Sequence, residues 1–178
     1  IIKNVNADAI IAVYPFTPQP IITQALLLAA DIPVFAGVGG GLTKGQRVVN
    51  LAMFAEMQGA TGVVLNAPTA NAVVQHVAET IDIPVVVTVA RADTDFDARL
   101  QAGANIFNVS AAAETPAIVR SIRERYPDVP IIATGGPTDE SILETIQAGA
   151  NAITWTPPTN GEIFRDIMAA YRDNKPHP

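Results

Sequence analysis

Two kinds of strand signal alternate along this chain, and the alternation constrains its fold more than any other feature. One kind follows a turn of small residues: Asn6-Ala7-Asp8-Ala9-Ile10-Ile11, Gly59-Ala60-Thr61-Gly62-Val63-Val64, Gly103-Ala104-Asn105-Ile106-Phe107 and Gly149-Ala150-Asn151-Ala152-Ile153. The other follows a proline: Ile32-Pro33-Val34-Phe35, Ile83-Pro84-Val85-Val86 and Val129-Pro130-Ile131-Ile132. Between them the apolar spacing predicts helices over residues 18–30, 43–58, 69–81, 93–102, 115–126, 138–148 and 161–171. Seven strands alternating with seven helices specify an α/β fold with a parallel sheet. We read one TIM-type (βα) barrel domain over residues 1–178, with seven βα units visible and the first strand missing or displaced. Completing the alternation would take an eighth strand, of the proline type, before residue 1, and Ile1 to Val5 then reads as the tail of a short first helix. The alternative is an open doubly wound sheet. A seven-stranded opening leaves two strand edges, which a missing segment, a partner chain or local closure must cover.

Composition fits this class. Of 178 residues, 49% are hydrophobic and 16% charged. The mean hydropathy of +0.27 suits strands buried on both faces. No apolar run reaches the length of a membrane span, and there is no signal peptide and no cysteine, which together point to a cytoplasmic protein. The formal net charge is −6 and the Lys and Arg residues are scattered, which argues against nucleic acid as a partner. An open strand edge, or the apolar helix over residues 18–30, would be covered in a homodimer.

Barrels of this kind place their sites at the carboxyl ends of the strands. Those ends carry Tyr14, the glycines from Gly37 to Gly41, Asn66, Thr88 with Arg91, Asn108 with Ser110, Thr134 to Gly136, and Thr154 to Thr156. Carboxylates are scarce there, His76 falls inside a helix and His177 in the tail, so neither a metal site nor a paired-carboxylate mechanism is expected. Asp93, Asp95 and Asp97 read as helix cap and first-turn residues. In the loop from Gly37 to Arg47, Gly39 and Gly40 could bring backbone N–H groups to an anion, Thr43 could cap the next helix, and Lys44 adds a cation. The alternative is a mobile surface loop with a solvated lysine. Lys44 as an imine-forming nucleophile would require desolvation, which a glycine loop does not supply. Arg91 suits a phosphate or carboxylate, or an ion pair with Asp93 or Asp95. Asn66, Thr88, Asn108 and Thr134 could orient a polyol or carbonyl, or bond one another. Trp155 is expected to pack under the last helix, the alternative being a pocket wall.

The segment from Val129 to Pro157 reads as strand, glycine turn, helix and strand. Thr138 caps the helix, Asp139 and Glu140 fall in its first turn, and Ile142 and Ile146 share its inner face. A glycine turn before a helix, late in such a barrel, commonly holds a phosphate. Gly135, Gly136 and Thr156 are the expected phosphate ligands, with Asn108, Arg91 and Lys44 as the groups nearest any chemistry. No cofactor is expected, because the chain is short for a flavin-phosphate barrel.

From Asp128 to Trp155 the chain resembles the ribulose-phosphate-binding barrel superfamily, which shares the late strand-Gly-Gly-helix-Gly-Ala-strand pattern. That resemblance implies a phosphorylated small molecule as ligand. The Ala133-Thr134-Gly135-Gly136 turn is similar to that of keto-deoxy-phosphogluconate aldolases. In Phe107-Asn108-Val109-Ser110-Ala111-Ala112, however, Asn108 stands where that family carries its Schiff-base lysine. The segments from Ala7 to Tyr14, Val34 to Thr43 and Ile131 to Gly136 resemble the glycerol-uptake-operon antiterminator family, which implies a sensor of glycerol phosphate acting on RNA. Two functions are therefore expected. One is a lyase, isomerase or hydrolase acting on a sugar phosphate or related phosphoester without a Schiff base. The other is a non-catalytic metabolite-sensing regulator.

Overall fold

The computed structural model describes residues 6–14 and 16–176. Its strands are β1 (Ile10–Ala12), β2 (Val34–Gly39), β3 (Gly62–Leu65), β4 (Val85–Val89), β5 (Ile106–Val109), β6 (Ile131–Thr134) and β7 (Ala152–Thr154). They alternate with helices α1 (Pro20–Ala29), α2 (Gln46–Met57), α3 (Asn71–Ala78), α4 (Phe96–Gln101), α5 (Thr115–Arg125), α6 (Asp139–Gln147) and α7 (Asn160–Arg172). Each strand pairs in parallel with the next in sequence, and the sheet curls into a nearly closed barrel whose edges are β1 and β7. All seven predicted βα units are present. The helix tail expected over residues 1–5 lies outside the described residues, as does His177. No helix among the described residues is long and apolar enough to cross a membrane.

The two strand types differ because proline has no N–H to place in a ladder and is accommodated where a strand begins. Each proline supplies its carbonyl instead: Pro33, Pro84 and Pro130 accept from Ile10, Val63 and Phe107 of the neighbouring strand at 2.8, 3.0 and 3.1 Å. The residue after the proline is then gripped from the other side. Asn105 donates its backbone N–H to the Val85 carbonyl at 2.9 Å, and its side-chain Oδ1 accepts from the Val85 N–H at 2.8 Å. Asn151 repeats both bonds with Ile131, each at 2.8 Å. Thr61 keeps the backbone half of the motif, donating to Val34 at 2.8 Å.

Alternate residues along each strand then face helices or lumen. Toward the helices, Val63, Leu65, Val87, Phe107, Val109 and Ile131 are fully buried against residues such as Val48, Val74 and Ile122. The opposite parity carries Phe35, Val64, Val86, Ile106 and Ile132 into the lumen. On α6, Thr145 is the buried residue, while Ile146 is 47% exposed and does not share the inner face with Ile142 as the spacing predicts.

Replacing Asn105 by Ala leaves the buried Val85 N–H without its acceptor. That should cost about 1–3 kcal/mol, read as a lower urea midpoint at unchanged slope. Asn105→Asp, which keeps an acceptor oxygen, should retain most of the stability.

Candidate functional site

Four side chains of lumen parity meet at the carboxyl ends of the second half of the barrel: Thr88 on β4, Asn108 on β5, Thr134 on β6 and Thr154 on β7. All four are half-buried. Thr88 pairs in register with Asn108, and Thr134 with Thr154. Asn108 donates one side-chain N–H to the Thr88 hydroxyl at 3.3 Å. The Thr134 hydroxyl donates to the Val109 carbonyl at 3.1 Å and that of Thr154 to the Ala133 carbonyl at 3.5 Å. An amide carries two N–H donors and an acceptor oxygen, and a hydroxyl that donates still offers lone pairs. The row is thus a neutral hydrogen-bonding surface above the apolar lumen. Of its members, Thr154 lies at an expected strand end, although Thr156 is the residue expected to bind phosphate. The signal was the two-residue strand period, which puts Thr154 in the inner row, whereas Thr156 is exposed beyond the strand end.

The turn after β6 is shaped by packing. A Cβ on Gly135 would lie 2.7 Å from both Ile142 and Ile153, and Gly136 has φ +82° with Ser141 Oγ 2.6 Å from where its Cβ would be. These glycines let α6 start close against β7. Thr138 caps α6 as expected, in a reciprocal capping box with Ser141. Glu140 brings its carboxylate to the same helix start, where hydrogen bonds from its own backbone N–H and then from Thr138 hold its pKa below the ordinary value. Glu162 does the same at the start of α7, through the Thr159 backbone and hydroxyl at 2.7 and 2.8 Å. A phosphate at either helix start competes with a carboxylate of the chain itself. Trp155, between these helices, is 63% exposed and does not pack under the last helix.

The glycine loop after β2 is tied to its neighbours by its first two glycines. Gly40 donates its N–H to the Thr43 carbonyl and Gly39 accepts from the Asn66 N–H, both at 2.9 Å. Gly40 has φ +100°, and a Cβ there would fall 1.7 Å from the Thr69 hydroxyl, which itself donates to the Asn66 carbonyl at 2.7 Å. Of the two N–H groups expected for an anion, that of Gly40 is engaged within the protein. Thr43 is buried and bonds the Thr17 hydroxyl at 2.7 Å, so it does not cap α2, which begins three residues later at Gln46 behind Gly45. Lys44 is exposed.

Arg91 reaches Asp93 through two bonds, at 2.9 and 2.8 Å, on the exposed rim. The Asp93 hydrogen bond raises the arginine pKa, and Arg91 lowers that of Asp93. Asp95 caps α4 by accepting from Ala98, and Asp97 bonds Arg125 and Tyr126, tying α4 to α5. Arg99, inside α4 and not at a strand end, is not expected from the sequence. Its guanidinium binds the Ala67 and Thr69 carbonyls and Asn71 Oδ1 beside an open cavity of about 330 Å³, also lined by Thr94 and Asp95. The Tyr14 hydroxyl is buried without a hydrogen-bond partner among the described residues.

No family model matches this chain, and no curated protein matches it. Solved structures do. A candidate phosphonomutase from Burkholderia cenocepacia superimposes with TM-score 0.66 at 16% identity, covering 87% of this chain and 74% of its own. The chain is a TIM-type α/β barrel. A phosphonopyruvate hydrolase solved with oxalate and Mg²⁺ matches at TM-score 0.66 and 14% identity over 88% of this chain and 66% of its own. The 4-hydroxy-tetrahydrodipicolinate synthase of Methylacidiphilum fumariolicum matches at TM-score 0.66 and 17% identity over 96% and 64%. This barrel thus spans about two thirds to three quarters of those chains, and at such identities the likeness is one of fold. It lends the antiterminator reading no support.

Acid should loosen the two capped helix starts. Glu140 and Glu162 have depressed pKa values, so their contribution is fully present above the ordinary value of 4.5 and is lost as pH falls through the lowered one. Amide exchange at Thr159 and in the first turn of α6 should therefore speed up in that window, with Glu140→Gln and Glu162→Gln abolishing the pH dependence.

Proposed function

We propose that this chain is a lyase-type barrel that takes a small metabolite bearing a phosphate or carboxylate group at the carboxyl ends of β4 to β7. The observation that carries this reading is the inward row Thr88, Asn108, Thr134 and Thr154. Thr134 and Thr154 offer lone pairs to a polyol, and the second Asn108 N–H and the Thr88 hydroxyl are suited to donate to a carbonyl or to an oxyanion that develops on it. The phosphate sits at the start of α6, against Gly136 and Thr156, after Glu140 swings away. Lys44 draws the anion in, and Arg91 joins it once released from Asp93, against a formal net charge of −6. The row carries no lysine, so the chemistry does not run through an imine. The described residues hold no group of three or more His, Cys, Asp or Glu suited to a metal ion. A small molecule, not nucleic acid, is the partner.

The test is a thermal-shift screen against inorganic phosphate, glycerol phosphates, sugar phosphates, pyruvate and oxalate. A ligand at a hundred times its dissociation constant adds about 2.7 kcal/mol, and such a shift is expected with a member of this panel. Asn108→Leu should abolish it. Glu140→Gln should enlarge it for phosphorylated compounds by removing the competing anion. Absence of a shift across the panel would sink the reading.

A further inference from the structure

Asp95 and Arg99 line the open cavity of about 330 Å³ between the starts of α3 and α4, and no member of the inward row lines it. The two stand four residues apart, a spacing at which opposite charges normally pair on a helix. Here they do not pair. Arg99 turns to the β3–α3 connection, where it binds the Ala67 carbonyl at 2.9 Å, Asn71 Oδ1 at 2.8 Å and the Thr69 carbonyl. All three acceptors are neutral, and no carboxylate among the described residues forms an ion pair with the guanidinium. Burial lowers the Arg99 pKa, and no acid acts to raise it. Asp95 accepts from the Ala98 N–H at 3.0 Å through one oxygen and meets no cation among the described residues. One wall of the cavity is thus positive and another negative, each without a counter-ion from the chain.

The unused donors and acceptors define what fits. A guanidinium has five N–H groups. The three bonds leave Arg99 the N–H of Nε and one of Nη2, the same two nitrogens through which Arg91 forks onto the Asp93 carboxylate. Asn71 gives its oxygen to Arg99 and keeps its amide N–H groups for another partner. On the opposite side are the second oxygen of Asp95 and the lone pairs of Thr94, whose hydroxyl donates to the Arg91 carbonyl at 2.8 Å. A phosphate or a simple carboxylate would gain Arg99 but be repelled by Asp95, and a simple amine would meet the reverse conflict. A molecule carrying both charges satisfies both walls. We infer that this cavity binds a small zwitterion, an α-amino acid, with its carboxylate on Arg99 and Asn71 and its ammonium group on Asp95 and Thr94. Its two charged groups sit on one carbon, so it can bridge a pair of side chains that do not reach each other.

The whole chain, isotope-labelled for NMR, is titrated with glycine, L-alanine and L-serine, and separately with acetate, methylamine and inorganic phosphate. An amino acid should shift the Arg99 Nε–H and Asn71 side-chain resonances to saturation, and bind about tenfold more tightly than acetate or methylamine. Asp95→Asn keeps a capping oxygen for α4 and removes the charge. It should weaken the amino acid about tenfold while acetate binds as well as before or better. Arg99→Lys keeps the charge, loses the fork and should weaken both. Asn108→Leu should leave this binding intact, which separates it from the row across β4 to β7. Equal affinity for acetate and alanine, unmoved by Asp95→Asn, would overturn the assignment. So would tighter binding of phosphate, loss of the amino acid in Asn108→Leu, or no shift with any amino acid.

Discussion

A parallel strand must find backbone partners on both sides, and proline cannot supply its share as a donor. The structure depends on how this deficit is met. Each proline begins a strand, offers only its carbonyl, and is followed by a residue whose C=O is taken by the next small-residue motif. At Asn105 and Asn151 that neighbour uses its side chain as well as its backbone. The buried N–H of Val85 or Ile131 would otherwise face an apolar core, where an unmet donor is costly. Arg123 reinforces the second clamp, bonding Asn151 Oδ1 at 2.7 Å and the Gly149 carbonyl at 2.9 Å. Register is therefore set at the amino ends of the strands, and the side chains at their carboxyl ends inherit it.

That inheritance separates stability from function along each strand. The helix-facing parity is uniformly aliphatic or aromatic and closely packed, so a polar group there would be buried without a partner. The lumen parity is apolar low in the barrel, at Val64 and Val86, and becomes polar only near the rim, at Thr88, Asn108, Thr134 and Thr154. A slip of one residue would exchange the two sets and bury all four polar groups among the helices. The clamps thus position the candidate site from the far end of the barrel.

The alternation of motifs made the seven βα units legible, because turn chemistry and strand period act locally. The same holds for Thr138 and Asp95, whose capping bonds span three residues. Tertiary partners decided the rest. Thr43 lies where a cap is expected, yet Thr17, distant in sequence, takes its hydroxyl and α2 starts later. The glycines of that loop look free in sequence and are tied to Asn66 and Thr69 in space. Trp155 looks like a core residue by size, but no neighbouring element covers it and it stays 63% exposed. Thr154 differs again: its inward parity is readable from the strand period only with the end of β7 in hand.

The glycine turn after β6 shows why a familiar pattern is not yet a binding site. Its two glycines already have structural reasons, since Gly135 admits Ile142 and Ile153 and Gly136, at φ +82°, turns the chain beside Ser141. The helix start behind them does favour an anion, and the chain provides one in Glu140. An external phosphate gains there only the difference between its own hydrogen bonds and those the carboxylate gives up, because the helix dipole favours both. A dianionic phosphate with three acceptor oxygens can exceed a carboxylate in that exchange, and inorganic anions with fewer contacts elsewhere gain less. Selectivity at this position would come from the remainder of the ligand, held by the neutral row across β4 to β7, which no free anion can reach at the same time.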